Sequence, residues 1–143
     1  MNEPAILTPD PTTGLVTVTA GYTPSSHVHT PDSTYARFYA TPTIGPLCYL
    51  AWSRLNLWID TDDTTVFVAF EELAWSLGAS PARLQRAITR LAKFHYASID
   101  PAAPDTLRIQ RRAATLNPAQ LAALATKCPS LVEAHTEQIR AAA

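Results

Sequence analysis

Glycine is scarce in this chain. Only four occur in 143 residues, so there is no glycine-rich loop of the kind whose backbone wraps a phosphate. Cysteine is scarcer still. Cys48 and Cys128 stand eighty positions apart, which makes no disulfide framework, and their apolar neighbours predict two buried free thiols. No run approaches the ~20 apolar residues that span a bilayer, and no N-terminal stretch joins a basic start to an apolar core as a secretion signal does. A cytoplasmic, soluble protein with no membrane partner is expected. Strong net charge is missing too: eleven Lys and Arg against twelve Asp and Glu leave −1, which argues against whole-molecule attraction to a polyanion. The four histidines, His27, His29, His95 and His135, are scattered, and none falls in a nucleophile, acid–base or metal spacing. His27 and His29 form a His-x-His pair without cysteines or carboxylates at a zinc spacing. No catalysis, metal or cofactor is expected.

Proline is abundant. Of twelve, five lie in the first 34 residues, so the excess belongs to a segment and not to a fold. The apolar share of 47% and charged share of 16% fit a globular protein. The chain divides into a Pro/Thr-rich, largely flexible segment over 1–34, a folded domain over 35–116 and a helical extension over 117–143. Within the first segment, 2–11 reads as disordered, while the alternation Leu15-Val-Thr-Val-Thr19 suits an edge strand added to the domain.

Residues 33–40 (STYARFYA) read as a strand or as a short aromatic stretch beneath the first helix. Pro46 suits a first helical position, and 47–58 (LCYLAWSRLNLW) is one helix. Leu47, Leu50, Ala51, Leu55 and Trp58 form one side, but Tyr49, Trp52 and Leu57 continue around the back, which predicts burial on more than one side. The tryptophans Trp52, Trp58 and Trp75 are expected in the core. The turn-rich loop 60–65 follows, within an acidic run of Asp60, Asp62, Asp63, Glu71 and Glu72.

The stretch 66–112 organises the rest. A short strand (VFVAF) leads into a helix whose first turn carries Glu71 and Glu72, where carboxylates suit the helix dipole. Gly78 ends that helix. Ser80 is an N-cap and Pro81 a first-turn proline for the next. In that second helix Leu84, Ala87, Ile88, Leu91 and Phe94 fall within an arc of about 120°. Arg83, Gln85, Arg86, Thr89, Arg90 and Lys93 fill the opposite arc with no acid among them. Two alternating runs, 95–99 and 106–111, make a hairpin with a proline-rich tip in which Leu107 and Ile109 face inward and Arg108 outward. Asn117 with Gln120 is a capping box opening a helix with Leu121 and Leu124 inside, and a last helix over 130–140 places Leu131, Val132, His135 and Ile139 inward.

The order helix, strand, helix, turn, helix, hairpin resembles the winged helix-turn-helix family of DNA-binding domains over 43–112. The segment LAWSLGASPARLQRAITRLAKFHYA carries the likeness, with its glycine-containing turn and basic–aromatic end. The arginine preference (nine Arg to two Lys) is similar to that of small winged-helix proteins from actinobacteria and their phages. The resemblance implies a mainly α fold with a small antiparallel β wing and C-terminal helices. It implies a sequence-specific, transcription-regulating protein with the second helix of the motif in the major groove of double-stranded DNA. Arg83, Gln85 and Arg86 would then meet base edges. Thr89, Arg90 and Lys93 would meet phosphates, and Arg108, Arg111 and Arg112 would serve the wing. The tip, with Asp100 and Asp105 and no base, is a poor phosphate ligand.

The alternative is a protein-interaction module on the same scaffold, such as a phage protein acting on a host complex, since fold does not settle function. The acidic run and the aromatic first helix motivate it. A homodimer is a further candidate: the surplus apolar face of the first helix and the C-terminal helices would either build its interface or fold back over the same core.

Overall fold

A computed structural model of the chain describes residues 5–142 apart from 60 and 62, with the backbone alone described over 138–142. Its described residues form four strands and six α-helices. The strands are β1 (Leu15–Ala20), β2 (Thr65–Ala69), β3 (Ala97–Asp100) and β4 (Ala103–Ile109). The helices are α1 (Thr41–Ile44), α2 (Pro46–Trp58), α3 (Phe70–Ser76), α4 (Pro81–Lys93), α5 (Pro118–Lys127) and α6 (Pro129–Ala142). A π-helical turn, Ala36–Ala40, leads into α1.

The expectation of a mainly α fold with a small antiparallel wing is overturned. The fold is mixed α/β around a four-stranded sheet of order β2-β1-β4-β3. The strand before α3 does not pair with the hairpin. Between them runs β1, antiparallel to β2 (Val16 opposite Val68) and parallel to β4 (Val18 opposite Leu107). The segment expected at an edge is therefore interior, with both its edges bonded. The reason is packing. Alternation turns Val16 and Val18 to one face, where both are almost wholly buried beside Val68, Ile99, Leu107 and Ile109. That face packs on α2 and α4, through Trp52, Leu55, Leu84, Ile88 and Leu91, in one continuous core. Thr17, Phe67, Thr106 and Arg108 stand on the other face, away from the helices. Leu7 is also buried in this core, and its neighbour Thr8 donates its backbone N–H to Pro104 O at 2.7 Å.

Helix α2 begins at Pro46, as proline's fixed φ favours, but its inward face differs from the expected one. Cys48, Ala51, Trp52, Leu55 and Asn56 are buried, whereas Leu50 and Trp58 are exposed. An almost continuously apolar helix has no periodicity strong enough to choose a face. The choice comes from Trp52, whose indole N–H donates to Gln110 O at 2.7 Å while its ring meets Tyr96 edge-on at 4.9 Å.

The C-terminal helices fold back on the same chain. Leu124, Leu116, Tyr35 and Tyr39 make a second small core flanked by Leu121, Cys128, Leu131 and Val132. Asn117 and Gln120 cap α5 reciprocally, as their spacing predicts. Cys48 is a buried free thiol and Cys128 a half-buried one. His135 is buried; Ile139 lies outside the residues whose side chains are described.

Candidate nucleic-acid interface

The α3–α4 unit is built as its residues specify. Gly78 takes φ +71° just beyond α3, so that its N–H reaches Trp75 O at 3.0 Å and that of Ala79 reaches Ala74 O at 3.0 Å. That closes the helix end with the left-handed residue glycine tolerates best. Ser80 Oγ then accepts the N–H of Arg83 at 3.2 Å and Pro81 opens α4. Leu84, Ala87, Ile88 and Leu91 are buried as the spacing predicts, which turns the polar arc of α4 outward.

The tertiary structure divides the nine residues expected to touch DNA. Arg90, expected on a phosphate, instead crosses to the end of α1, donating from Nε to Ile44 O at 2.6 Å and from Nη2 to Thr43 O at 3.2 Å. Its guanidinium also lies over the Phe94 ring, 5.0 Å from the centroid. Arg111 closes the end of α2 through Nη1, which donates to Asn56 O at 2.9 Å, Asn56 Oδ1 at 3.1 Å and Ile59 O. Arg112 Nε donates to His27 O at 3.1 Å. Arg108 pairs with Asp100 at 3.7 Å on the helix-free face of the sheet. Of these four arginines, Arg108, Arg111 and Arg112 lie off α4, and Arg90 is turned from its outer arc to the end of α1. Three of them hold open carbonyls, which a planar, multi-donor cation suits better than lysine does.

Gln85 is also engaged. Its Nε2 donates to Leu7 O at 2.6 Å, and its Oε1 is buried without a partner among the described residues. The residue expected to read adenine is covered by the N-terminal segment. Thr89 bonds back to Gln85 O at 3.0 Å.

Arg83, Arg86 and Lys93 remain. All three side chains are exposed and make no hydrogen bond or ion pair among the described residues. At 100° per residue they lie within an arc of about 80° on the outer side of α4. Lys93 stands at the rim of a groove of about 630 Å³ between the end of α4 and α5, which also brings Lys127, Phe94, Leu124 and Cys128 together. Sequence reading omitted Lys127, because only the return of α5 onto the α4 end brings it near.

His95, also at this groove, has φ +65°. It occupies the position after α4 that Gly78 occupies after α3: its N–H reaches Ala92 O at 3.2 Å and that of Tyr96 reaches Leu91 O at 2.9 Å. A histidine there carries a conformational cost that glycine would not.

Among the described residues no group of three His, Cys, Asp or Glu could hold a metal ion, and no helix is long and apolar enough to cross a membrane. His29 stacks on Tyr35 with centroids 3.7 Å apart, and its Nε2 lies 2.9 Å from Thr115 Oγ1.

The fold and the exposed cations define a mixed α/β protein with one basic helix face. No family model, curated protein or solved structure matches the chain, so its function has to be read from its own geometry.

Proposed function

We propose that the protein binds double-stranded DNA through the outer face of α4, as a regulator would, and that this binding is chiefly to phosphates. The observation that carries the reading is the placement of Arg83, Arg86 and Lys93 on one exposed arc of a helix that contains no acid. Lys127 extends the basic surface beyond the groove. With Gln85 held by Leu7, the arc keeps cations alone, and Arg83 and Arg86 act on phosphates with Lys93 and Lys127. About four phosphate contacts give a slope of log affinity against log salt of roughly −3 to −4. Fluorescence polarisation of a labelled duplex across a salt series tests this. The paired substitution Arg83→Ala with Arg86→Ala should weaken binding about tenfold or more and flatten the slope by about two, while Arg108→Ala leaves both unchanged. Binding absent at low salt, or indifferent to the pair, refutes the reading.

A protein-interaction role is the second reading, and a different surface favours it: the edge of the sheet at β2, where Phe67 is 70% exposed and Trp58 38%.

A further inference from the structure

The geometry of β2 points to a docking site for an extended peptide segment of a partner protein, apolar in its middle and basic at both ends, which adds to the sheet as a fifth strand. Strand β2 ends the order β2-β1-β4-β3, so one of its backbone edges faces β1 and the other faces no strand. Among the described residues, no backbone group of 66–68 bonds outside the β1 ladder. Such an edge presents N–H and C=O groups in the spacing another strand requires.

A trough of about 570 Å³ runs along that edge. Residues 66–69 form one wall as a consecutive run, and Trp58, Leu73 and Ser76 supply the apolar and small groups opposite. The five residues of β2 span about 17 Å, the length of a five-residue extended peptide. Phe67 projects on the open sheet face, and Trp58 is 38% exposed at the trough. Exposed aromatic side chains flanking an open strand mark an interaction site more than a solvated edge, which is ordinarily blunted by charge or proline.

Charge selects the occupant. Exposed Asp63 precedes the strand, and exposed Glu71 and Glu72 follow it, while Arg54, beside the trough, is turned to Ser76 Oγ at 3.2 Å. Antiparallel pairing of β2 with a second copy would set Asp63 of each chain against Glu71 and Glu72 of the other, at both ends of the ladder. Like charges placed so oppose association. A partner with cations at both ends meets both acidic ends, and one alternating set of its residues faces Trp58 while the other faces Phe67. This site is separate from α4 and stands or falls independently of DNA binding.

The test is titration of the full chain with the capped peptide Arg-Lys-Val-Thr-Val-Thr-Val-Lys-Arg, read by tryptophan fluorescence and by calorimetry. Saturable binding is expected, with Kd on the order of 10–100 μM, the range of a small transient contact. The paired change Glu71→Lys with Glu72→Lys should weaken it about tenfold, and Phe67→Thr should also weaken it. Arg83→Ala with Arg86→Ala should leave it unaltered. Two peptide controls keep the protein intact. One is N-methylated at alternate residues, which removes ladder donors, and the other carries Glu at its ends; neither should bind. Failure of the parent peptide to bind at millimolar concentration overturns the proposal, as does equal binding by either control. A concentration-dependent dimer in light scattering that Phe67→Asp abolishes would assign the edge to a second copy and overturn it as well.

Discussion

Four arginines of this chain look alike in sequence and differ in what they hold. Arg90 and Arg111 reach unpaired carbonyls at the ends of α1 and α2, where a charged donor replaces the helix's own missing N–H groups. Arg83 and Arg86 reach nothing in the fold. Stability should separate the two classes. Arg90→Ala is expected to cost about 1.5–3 kcal/mol, the range for hydrogen bonds from charged groups. Lysine should restore little of that, because it cannot reach two carbonyls as a fork. Arg83→Ala is expected to stay within about 0.5 kcal/mol, as exposed substitutions do. Urea unfolding of the three variants measures this, and equal midpoints for Arg90→Ala and the parent chain would refute the capping role. His95 offers a change of opposite sign. With φ +65°, it carries a left-handed conformation that glycine adopts freely, so His95→Gly should stabilise by about 0.5–1 kcal/mol after the greater entropy of the unfolded glycine is counted. A lower melting temperature for His95→Gly would contradict this.

At the scale of elements, the C-terminal pair α5–α6 depends on a small polar cluster. Tyr35 Oη accepts the N–H of Leu116 at 2.9 Å and sits 2.5 Å from His135 Nε2. The phenol and the imidazole thus share one short hydrogen bond, with the donor set by the imidazole tautomer. Burial holds His135 below the ordinary histidine range, and burial together with the charge of His135 does the same for His29. A histidine whose folded pKa lies below its unfolded value of about 6.5 binds its proton more readily when unfolded. Its contribution is thus complete above about pH 6.5 and is lost as pH falls through the folded value. The amides of α5 and α6 should exchange faster at pH 5.5 than at 7.5, beyond the intrinsic pH effect, while those of α4 hold. Tyr35→Phe should loosen the same helices at both pH values. Protection of α6 that is insensitive to acid would show that the docking does not depend on these imidazoles.

For the molecule as a whole, the decisive element is β1. An N-terminal strand at an edge could be removed with modest loss. Bonded to β2 on one side and β4 on the other, with Val16 and Val18 buried, it joins two parts of the sheet that do not otherwise touch. Deletion of residues 1–20 is expected to abolish cooperative unfolding, since it opens both inner edges and the core beneath them. Circular dichroism through a thermal scan would show a sloping trace in place of a transition. A deletion variant that still melts sharply would contradict the interior placement.

Local signals carried much of the fold. The α3–α4 turn, the Ser80 cap, the inner face of α4 and the Asn117–Gln120 box were all legible, because a cap or a helical stripe is set by residues within one or two turns of each other. So was the inward pairing of Leu107 with Ile109. Four things were not legible. Alternation at 15–19 shows which side chains share a face but not how many neighbours a strand has, so its interior position, and with it the mixed α/β class, came only from the assembled sheet. Helix α2, apolar nearly all round, could not announce that Trp52 goes in and Trp58 stays out. Trp75, expected in the core, lies exposed beside the acidic end of β2. Last, the composition of a basic helix face says nothing about which cations the rest of the chain will claim. The sequence by itself determined where α4 begins, which side it buries and that its outer arc is basic. Only the tertiary structure decided that Gln85 would be held by Leu7 and Arg90 by the end of α1, leaving Arg83, Arg86 and Lys93 exposed, because those contacts join residues more than forty positions apart.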